Sequence, residues 1–115
     1  MVGMQRVGLT IEVRPTRFER IAGLLPPLDV PLTAVEGVEV EPHPLAGVRG
    51  FRLGLGLPGI RMIGRFARRG ELDYVSVKRG QPAVRVHLTG QHFRTLLVGS
   101  DDAARLASTL LEVTG

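Results

Sequence analysis

The stretch RRGELDYVSVKRGQPAVRVHLTG, residues 68–90, decides the fold class, because glycines divide it into segments of strand length. Gly70, Gly80 and Gly90 are ten residues apart. In AVRVHLT (83–89) apolar and polar side chains alternate, which is typical of a strand with one buried face. Strands at this spacing predict an antiparallel meander, because the short turns leave no room for the crossover helix of a parallel pair.

Segments of similar length lie on both sides of this stretch. VGLTIEVR (7–14) alternates and predicts one strand, and EGVEVEPH (36–43) predicts another. The predicted inward side chains of the first are Val7, Leu9, Ile11 and Val13. IRMIGRFA (60–67) and FRTLLV (93–98) are rich in β-branched, apolar or aromatic residues. The chain therefore has up to seven predicted strands.

The hydrophobic period changes after residue 99, where SDDAARLASTLLEVTG begins. Ser100, Asp101 and Asp102 are suitable N-cap and first-turn residues. Five apolar side chains then follow at helical spacing: Ala103, Leu106, Ala107, Leu110 and Val113. We predict an amphipathic helix over about residues 101–113, which covers one open end of a sheet folded into a small barrel.

The segment TRFERIAGLL, residues 16–25, carries a local helix signal. Thr16 and Glu19 match a capping box. Four apolar residues follow the spacing i, i+3, i+4 and i+7: Phe18, Ile21, Ala22 and Leu25. These local patterns favour a short helix.

The composition limits the class of protein. A chain of 115 residues with 43% hydrophobic residues is expected to form one domain, residues 1–115. The absence of cysteine excludes disulfides, thiolate metal sites and cysteine nucleophiles. MVGMQRVGL lacks the features of a secretory leader, and no apolar run approaches the ~20 residues of a membrane span. We therefore expect a cytoplasmic protein without a transmembrane segment.

The formal net charge of +4 is distributed unevenly. Residues 49–94 hold nine Arg and one Lys against two acids, a net charge of +8. Residues 1–48 and 95–115 each have a net charge of −2. This asymmetry indicates either an anionic partner or basic and acidic segments that face each other in the folded chain.

Basic residues of the middle segment are the candidates for binding an anion or a partner. They are Arg61, Arg65, Arg68, Arg69, Lys78, Arg79 and Arg85. A strand over 60–67 would project Arg61 and Arg65 from one face. Each nucleic-acid phosphate that they neutralised would steepen the salt dependence of binding, and Tyr74 and Phe66 are the nearby aromatic residues on which bases could stack. The alternative is a solvated or interface-forming sheet face.

GLGLPG, residues 54–59, fits the dinucleotide-binding pattern through Gly54, Gly56 and Gly59. That pattern binds phosphate only where a strand enters the glycines and a helix leaves them. The residues that follow predict a strand, and Pro58 lacks an N–H donor. We therefore predict a structural loop, with an enzyme that uses this loop as an alternative.

Other catalytic and metal-binding patterns are not found in the sequence. His43, His87 and His92 lack the nearby acids that would complete a metal site. The three serines lack the context of a nucleophile elbow. We expect no cofactor, no metal and no catalytic residue.

The layout of the chain resembles the bacterial pleckstrin-homology-like (PH-like) domains. The resemblance rests on VPLTAVEGVEVEP (30–42), RGFRLGLGLPGIRMIGRF (49–66), PAVRVHL (82–88) and RTLLVGSDD (94–102), together with the terminal helix. It implies a seven-stranded antiparallel barrel of two roughly orthogonal sheets, capped by the C-terminal helix. It also implies that residues 16–25 form a turn and a strand, because tertiary pairing overrides short helix signals.

PH-like domains are usually non-catalytic adaptors for lipid headgroups, peptides or other proteins. Arg14, Arg17 and Arg20 do not have the spacing of the phosphoinositide-binding members. The resemblance therefore implies a non-enzymatic interaction module whose partner is an unknown protein or a second copy of the chain. The alternative is an anion binder, for nucleic acid or acidic lipid headgroups, through the basic face.

Overall fold

A computed structural model describes residues 2–44, 51–57 and 61–111. The described chain is mainly β, with nine strands in two sheets and a C-terminal helix. The strands are β1 (Gly3–Val7), β2 (Thr10–Arg14), β3 (Leu28–Pro31), β4 (Val35–Glu41), β5 (Phe51–Leu57), β6 (Arg61–Arg68), β7 (Glu71–Lys78), β8 (Ala83–Leu88) and β9 (Thr95–Gly99). The helices are α1 (Arg17–Ala22) and α2 (Ala103–Leu111), and a 3₁₀ turn (Leu32–Ala34) precedes β4.

The smaller sheet contains β1, β2 and β3 in that order, and both strand pairs are antiparallel. The prediction of one strand over 7–14 is wrong, because the chain reverses at Gly8, whose φ is +60°. Ile11 and Val13 are fully buried as predicted, whereas Val7 and Leu9 are exposed beside the turn. Alternation thus identified the inward residues of β2 but not the hairpin.

The larger sheet has the order β4-β8-β9-β7-β6-β5. The predicted meander is confirmed for β6 and β7, which are joined by a two-residue turn with positive φ at Arg69 and Gly70, and for the antiparallel neighbours β8 and β9. Strand β5, which was not predicted, pairs antiparallel with β6. The meander is wrong between β7 and β8, because β9 lies between these two strands and runs parallel to β7. No crossover helix is needed, since β8 runs antiparallel to β9 and returns the chain to the start of β9.

The barrel of seven strands that the sequence predicts does not close in the described chain. Nine strands form two sheets that do not close into a barrel, and β4 and β5 are the two edges of the larger one. Three strands are additional to those predicted from the residues: the first predicted strand folds into a hairpin, Leu28–Pro31 forms β3, and Gly54 and Gly56 belong to β5. In a closed barrel the first and last strands pair with each other. In an open sheet one side of each edge strand has no strand partner.

The C-terminal helix covers the core as predicted. Ala103, Ala107 and Leu110 are buried, and Leu106 is half-buried against the main apolar cluster. The helix packs against β4, β8 and β1, so it joins the two sheets. It begins at Ala103, two residues later than predicted, and residues 112–115 lie outside the described chain. Neither α1 nor α2 has the length and apolarity needed to cross a membrane.

Candidate functional site

Within residues 16–25 the chain forms α1 (Arg17–Ala22) and not the turn and strand that the resemblance implies. Thr16 Oγ1 accepts a hydrogen bond from the Glu19 backbone N–H at 3.2 Å, and the Thr16 N–H donates to Glu19 Oε1 at 3.1 Å. These two bonds complete the capping box that starts α1. The Gly23 N–H donates to the Glu19 carbonyl oxygen at 3.0 Å and ends the helix. The local signal therefore decides this element.

The helix α1 places its acid inside and its apolar side chains outside. Glu19 is fully buried, whereas Phe18 is 53% exposed and Ile21 is 68% exposed. A surface helix normally turns its apolar stripe toward the core. Leu25, which follows the helix, is fully buried.

Partners on three elements explain why Glu19 is stable inside. The Ser76 hydroxyl donates to Glu19 Oε2 at 2.5 Å, and the Thr16 hydroxyl donates to Oε1 at 3.0 Å. Arg61 Nη2 lies 3.9 Å from Oε2. A buried carboxylate is unfavourable unless it is paired and hydrogen-bonded, and these contacts meet that requirement. They fasten α1 to β6 and β7.

Burial acts on the pKa of two groups in this cluster. Burial favours the neutral form of Glu19, but hydrogen bonds from Ser76 and Thr16 outweigh it and hold the pKa of Glu19 below its ordinary value. Burial also raises the pKa of Tyr74, and the negative charge of Glu19 raises it further. Tyr74 therefore keeps its proton, and its hydroxyl donates to the Pro26 carbonyl oxygen at 2.8 Å.

A close approach at Gly23 also fixes the helix. A Cβ atom at this position would overlap Ile63 Cγ2 of β6 and would lie 2.8 Å from the Glu19 carbonyl oxygen. Real Cβ atoms do not approach backbone oxygen this closely, so the position requires glycine. The end of α1 is thereby held directly against the larger sheet.

The exposed side of α1 forms a continuous surface. Its apolar members are Phe18, Ile21 and Leu24, and its basic members are Arg17, Arg20 and Arg65. We call these six residues the α1 surface. Leu24 is 46% exposed and has a φ of +55°, a conformation that costs a side-chain-bearing residue about 1–2 kcal/mol.

A depression of about 350 Å³ lies beside Leu24. It is lined by Arg20, Leu24, Leu25, Pro26, Pro27 and Arg65, and we call it the arginine depression. Within the described chain, neither Arg20 nor Arg65 forms an ion pair. The Nε of Arg65 is buried and has no hydrogen-bond partner there. The depression thus combines an apolar floor with two uncompensated guanidinium groups.

The structure divides the predicted basic residues between the two ends of the larger sheet. Arg61 and Lys78 are register partners at one end, and Arg79 follows in the adjoining turn. Arg68 aligns with Glu71 at the other end, next to Arg69. Seven residues of strand separate these ends, which is about 23 Å.

The predicted basic residues also lie on opposite faces. Arg65 aligns with Tyr74 on the face that α1 covers. Arg85 aligns with Leu97, which pairs with Val75 on the opposite face, and Arg85 Nε lies 3.0 Å from Glu41 Oε1. Of the predicted set, Arg61 is engaged with the buried carboxylate of α1, and Arg65 lines the arginine depression together with Arg20 of that helix.

Part of the charge asymmetry is neutralised inside the folded chain. Two ion pairs join basic residues of the middle segment to acids of residues 1–48: Arg61 to Glu19 and Arg85 to Glu41. His87 Nε2 also lies 2.7 Å from Glu39 Oε1. This supports the interpretation that the oppositely charged segments face each other. Arg20 and Arg65 lie outside these pairs.

Gly54 and Gly56 lie in strand β5, so the prediction of a loop is wrong for both, and Gly59 lies outside the described residues. Gly54 aligns with Gly64 of β6 in an antiparallel pair. The element that follows the glycines is therefore a strand, which does not provide the helix N-terminus of a dinucleotide site.

A second cleft, of about 460 Å³, lies at the end of the larger sheet near Glu36, Glu71 and Arg94. Arg94 and Glu71 form an ion pair, so the charges of this cleft are largely compensated. Among residues 2–44, 51–57 and 61–111, no three His, Asp or Glu side chains come together as a metal site would require.

The sequence interpretation missed Arg20, Ile21 and Leu24 as functional candidates. No local signal could have found them, because the direction in which α1 faces depends on the contact of Glu19 with Ser76 in a distant strand. The chain matches no protein-family model, no curated protein and no solved structure.

Proposed function

We propose that this chain is a non-enzymatic interaction module that binds a partner protein through the α1 surface. The observation that carries the proposal is the inverted helix, with Glu19 inside and Phe18, Ile21 and Leu24 outside. Complete burial of one such side chain is worth about 1.5–3 kcal/mol. A partner that covers all three side chains would therefore gain a binding free energy of several times RT.

The helix is held in place by contacts with the larger sheet. This favours binding, because little conformational entropy is lost when a partner associates. Glu19 bonds to Ser76 and Thr16, and Gly23 lies directly against Ile63. A surface that was merely a loose end of the fold would not need a buried carboxylate with three partners. This anchoring supports the proposal that the α1 surface binds a partner.

The polar cluster behind α1 supports a structural role. The Ser76 hydroxyl is bonded to Glu19 and the Tyr74 hydroxyl to Pro26, and both residues are buried. Groups with these partners position the helix and do not face a substrate. The resemblance to PH-like domains, which implies an adaptor, supports the same proposal.

A site-specific photo-crosslinker tests the proposal. We would place it at Ile21 and, as a matched control, at Leu9, which is 66% exposed in the distant β1–β2 turn. We expect protein adducts in cells from position 21 and few from position 9. A second copy of the chain as the adduct would identify self-association. Equal labelling at both positions, or none at position 21, would contradict the proposal.

A further inference from the structure

The rim of the α1 surface is positively charged. Arg17 and Arg20 are exposed on the helix, and Arg65 projects from β6. The acid of α1, Glu19, is buried and internally satisfied, and the nearby Asp29 lies 2.7 Å from Arg14. The charge of the rim therefore lacks compensation from these acids and complements a negatively charged ligand.

The arginine depression places two of these charged groups beside apolar side chains. Arg20 and Arg65 line it together with Leu24, Leu25 and two prolines. The Tyr74 hydroxyl holds the Pro26 carbonyl, and Leu25 is fully buried, so the floor is fixed. A guanidinium group presents a planar fork of N–H donors that matches the two oxygens of a carboxylate.

We infer that the α1 surface binds an acidic peptide segment, which places a carboxylate between Arg20 and Arg65 and apolar side chains over Ile21 and Leu24. The inference rests on the proposed function and names the partner chemistry. We favour a peptide because a short chain segment can supply a carboxylate to the two guanidinium groups and apolar side chains to the adjoining leucine and isoleucine. The apolar members of the surface favour a protein partner over nucleic acid.

A phage-displayed library of random peptides, selected on the full chain, tests the inference. We expect the enriched peptides to combine Asp or Glu with aromatic or aliphatic residues. One synthetic peptide is then measured by fluorescence polarisation against the wild type, R65Q, R20Q and I21S. Each variant should bind at least about tenfold more weakly, the effect of losing one well-formed contact.

Two exposed sites supply matched controls. R79Q removes an exposed arginine from the distant β7–β8 turn, and L9S removes an exposed apolar side chain. Both should retain the wild-type affinity. Replacing the peptide's acid by its amide should weaken binding to the wild type but should have little further effect on R65Q, because the pair is already broken.

The outcomes separate this inference from the proposed function. Enriched peptides that need Ile21 but carry no acid would overturn the inference and leave the interaction surface intact. Binding to phosphatidylserine vesicles that is lost in R20Q and I21S, without any peptide selected, would replace the peptide with a membrane. If no peptide requires the α1 surface, the inference fails. The proposed function fails as well if the crosslinker at Ile21 gives no adduct or labels no more than the crosslinker at Leu9.

Discussion

The carboxylate of Glu19 accepts a hydrogen bond from the hydroxyl group of Ser76, which links the first helix to the centre of β7. This contact spans 57 positions of the chain and draws the acid of α1 into the core. Because the carboxylate occupies the inner side, Phe18 and Ile21 must occupy the outer side. The exposed apolar surface is thus a consequence of one buried polar contact.

Replacing Ser76 with alanine is expected to destabilise the fold. The change removes a hydrogen bond to a buried charge, so the free energy of unfolding should fall by about 1.5–3 kcal/mol in urea denaturation. Ser108, an exposed residue of α2, is the control. S108A should change the free energy of unfolding by less than about 0.5 kcal/mol. Equal effects of the two substitutions would mean that the Glu19–Ser76 bond adds nothing to stability.

The lowered pKa of Glu19 predicts a dependence of stability on pH. Its pKa in the folded chain lies below the ordinary value of 4.5, so its ionised form contributes stability that is present above pH 4.5. That contribution is lost as the pH falls through the folded pKa. E19Q cannot titrate at this position and serves as the reference. The stability difference between wild type and E19Q should be constant near neutral pH and should shrink below about pH 4.5.

Urea denaturation of both proteins over this pH range checks the prediction, with E36Q at an exposed acid as the control. A difference that grows on acidification would mean that the folded state binds the proton more tightly than the unfolded chain. The bonds from Ser76 and Thr16 would then not outweigh the burial of Glu19.

The start of α1 could be predicted from the sequence, because a capping box depends on residues three positions apart. The outward direction of Phe18 and Ile21 could not, because their spacing defines a helix face without saying which side the core occupies. That choice depends on Ser76, which lies in a distant strand. The PH-like resemblance led away from the helix, so here the local signal was more informative than the global one.

The strands around Gly70, Gly80 and Gly90 were predicted well, because all three glycines adopt positive φ in turns. Their order in the sheet was not. Alternating side chains identify the buried face of a strand, but they do not identify the neighbouring strand. The insertion of β9 between β7 and β8 preserves every inward side chain of both, so the same alternation fits either arrangement.

Replacing Gly23 with alanine should displace the end of α1. The new methyl group would overlap Ile63 and would press on the Glu19 carbonyl, and overpacking of this kind costs about 1–3 kcal/mol. G37A is the matched control, because a Cβ there meets His87 only at 3.7 Å, an ordinary contact. Thermal unfolding of the two variants checks the prediction. A wild-type melting temperature for G23A would show that α1 is not held against β6.

Replacing Leu24 with glycine should separate stability from binding. Glycine adopts the φ of +55° without strain, which recovers about 1–2 kcal/mol, whereas the half-buried leucine side chain contributes about 1 kcal/mol of burial. The free energy of unfolding should therefore stay within about 1 kcal/mol of the wild type. Binding of the selected peptide should weaken markedly, because the apolar wall of the arginine depression is removed. If L24G kept both the stability and the peptide affinity of the wild type, Leu24 would have no role in the α1 surface. Unchanged binding by L24G would therefore argue directly against that surface as the docking site.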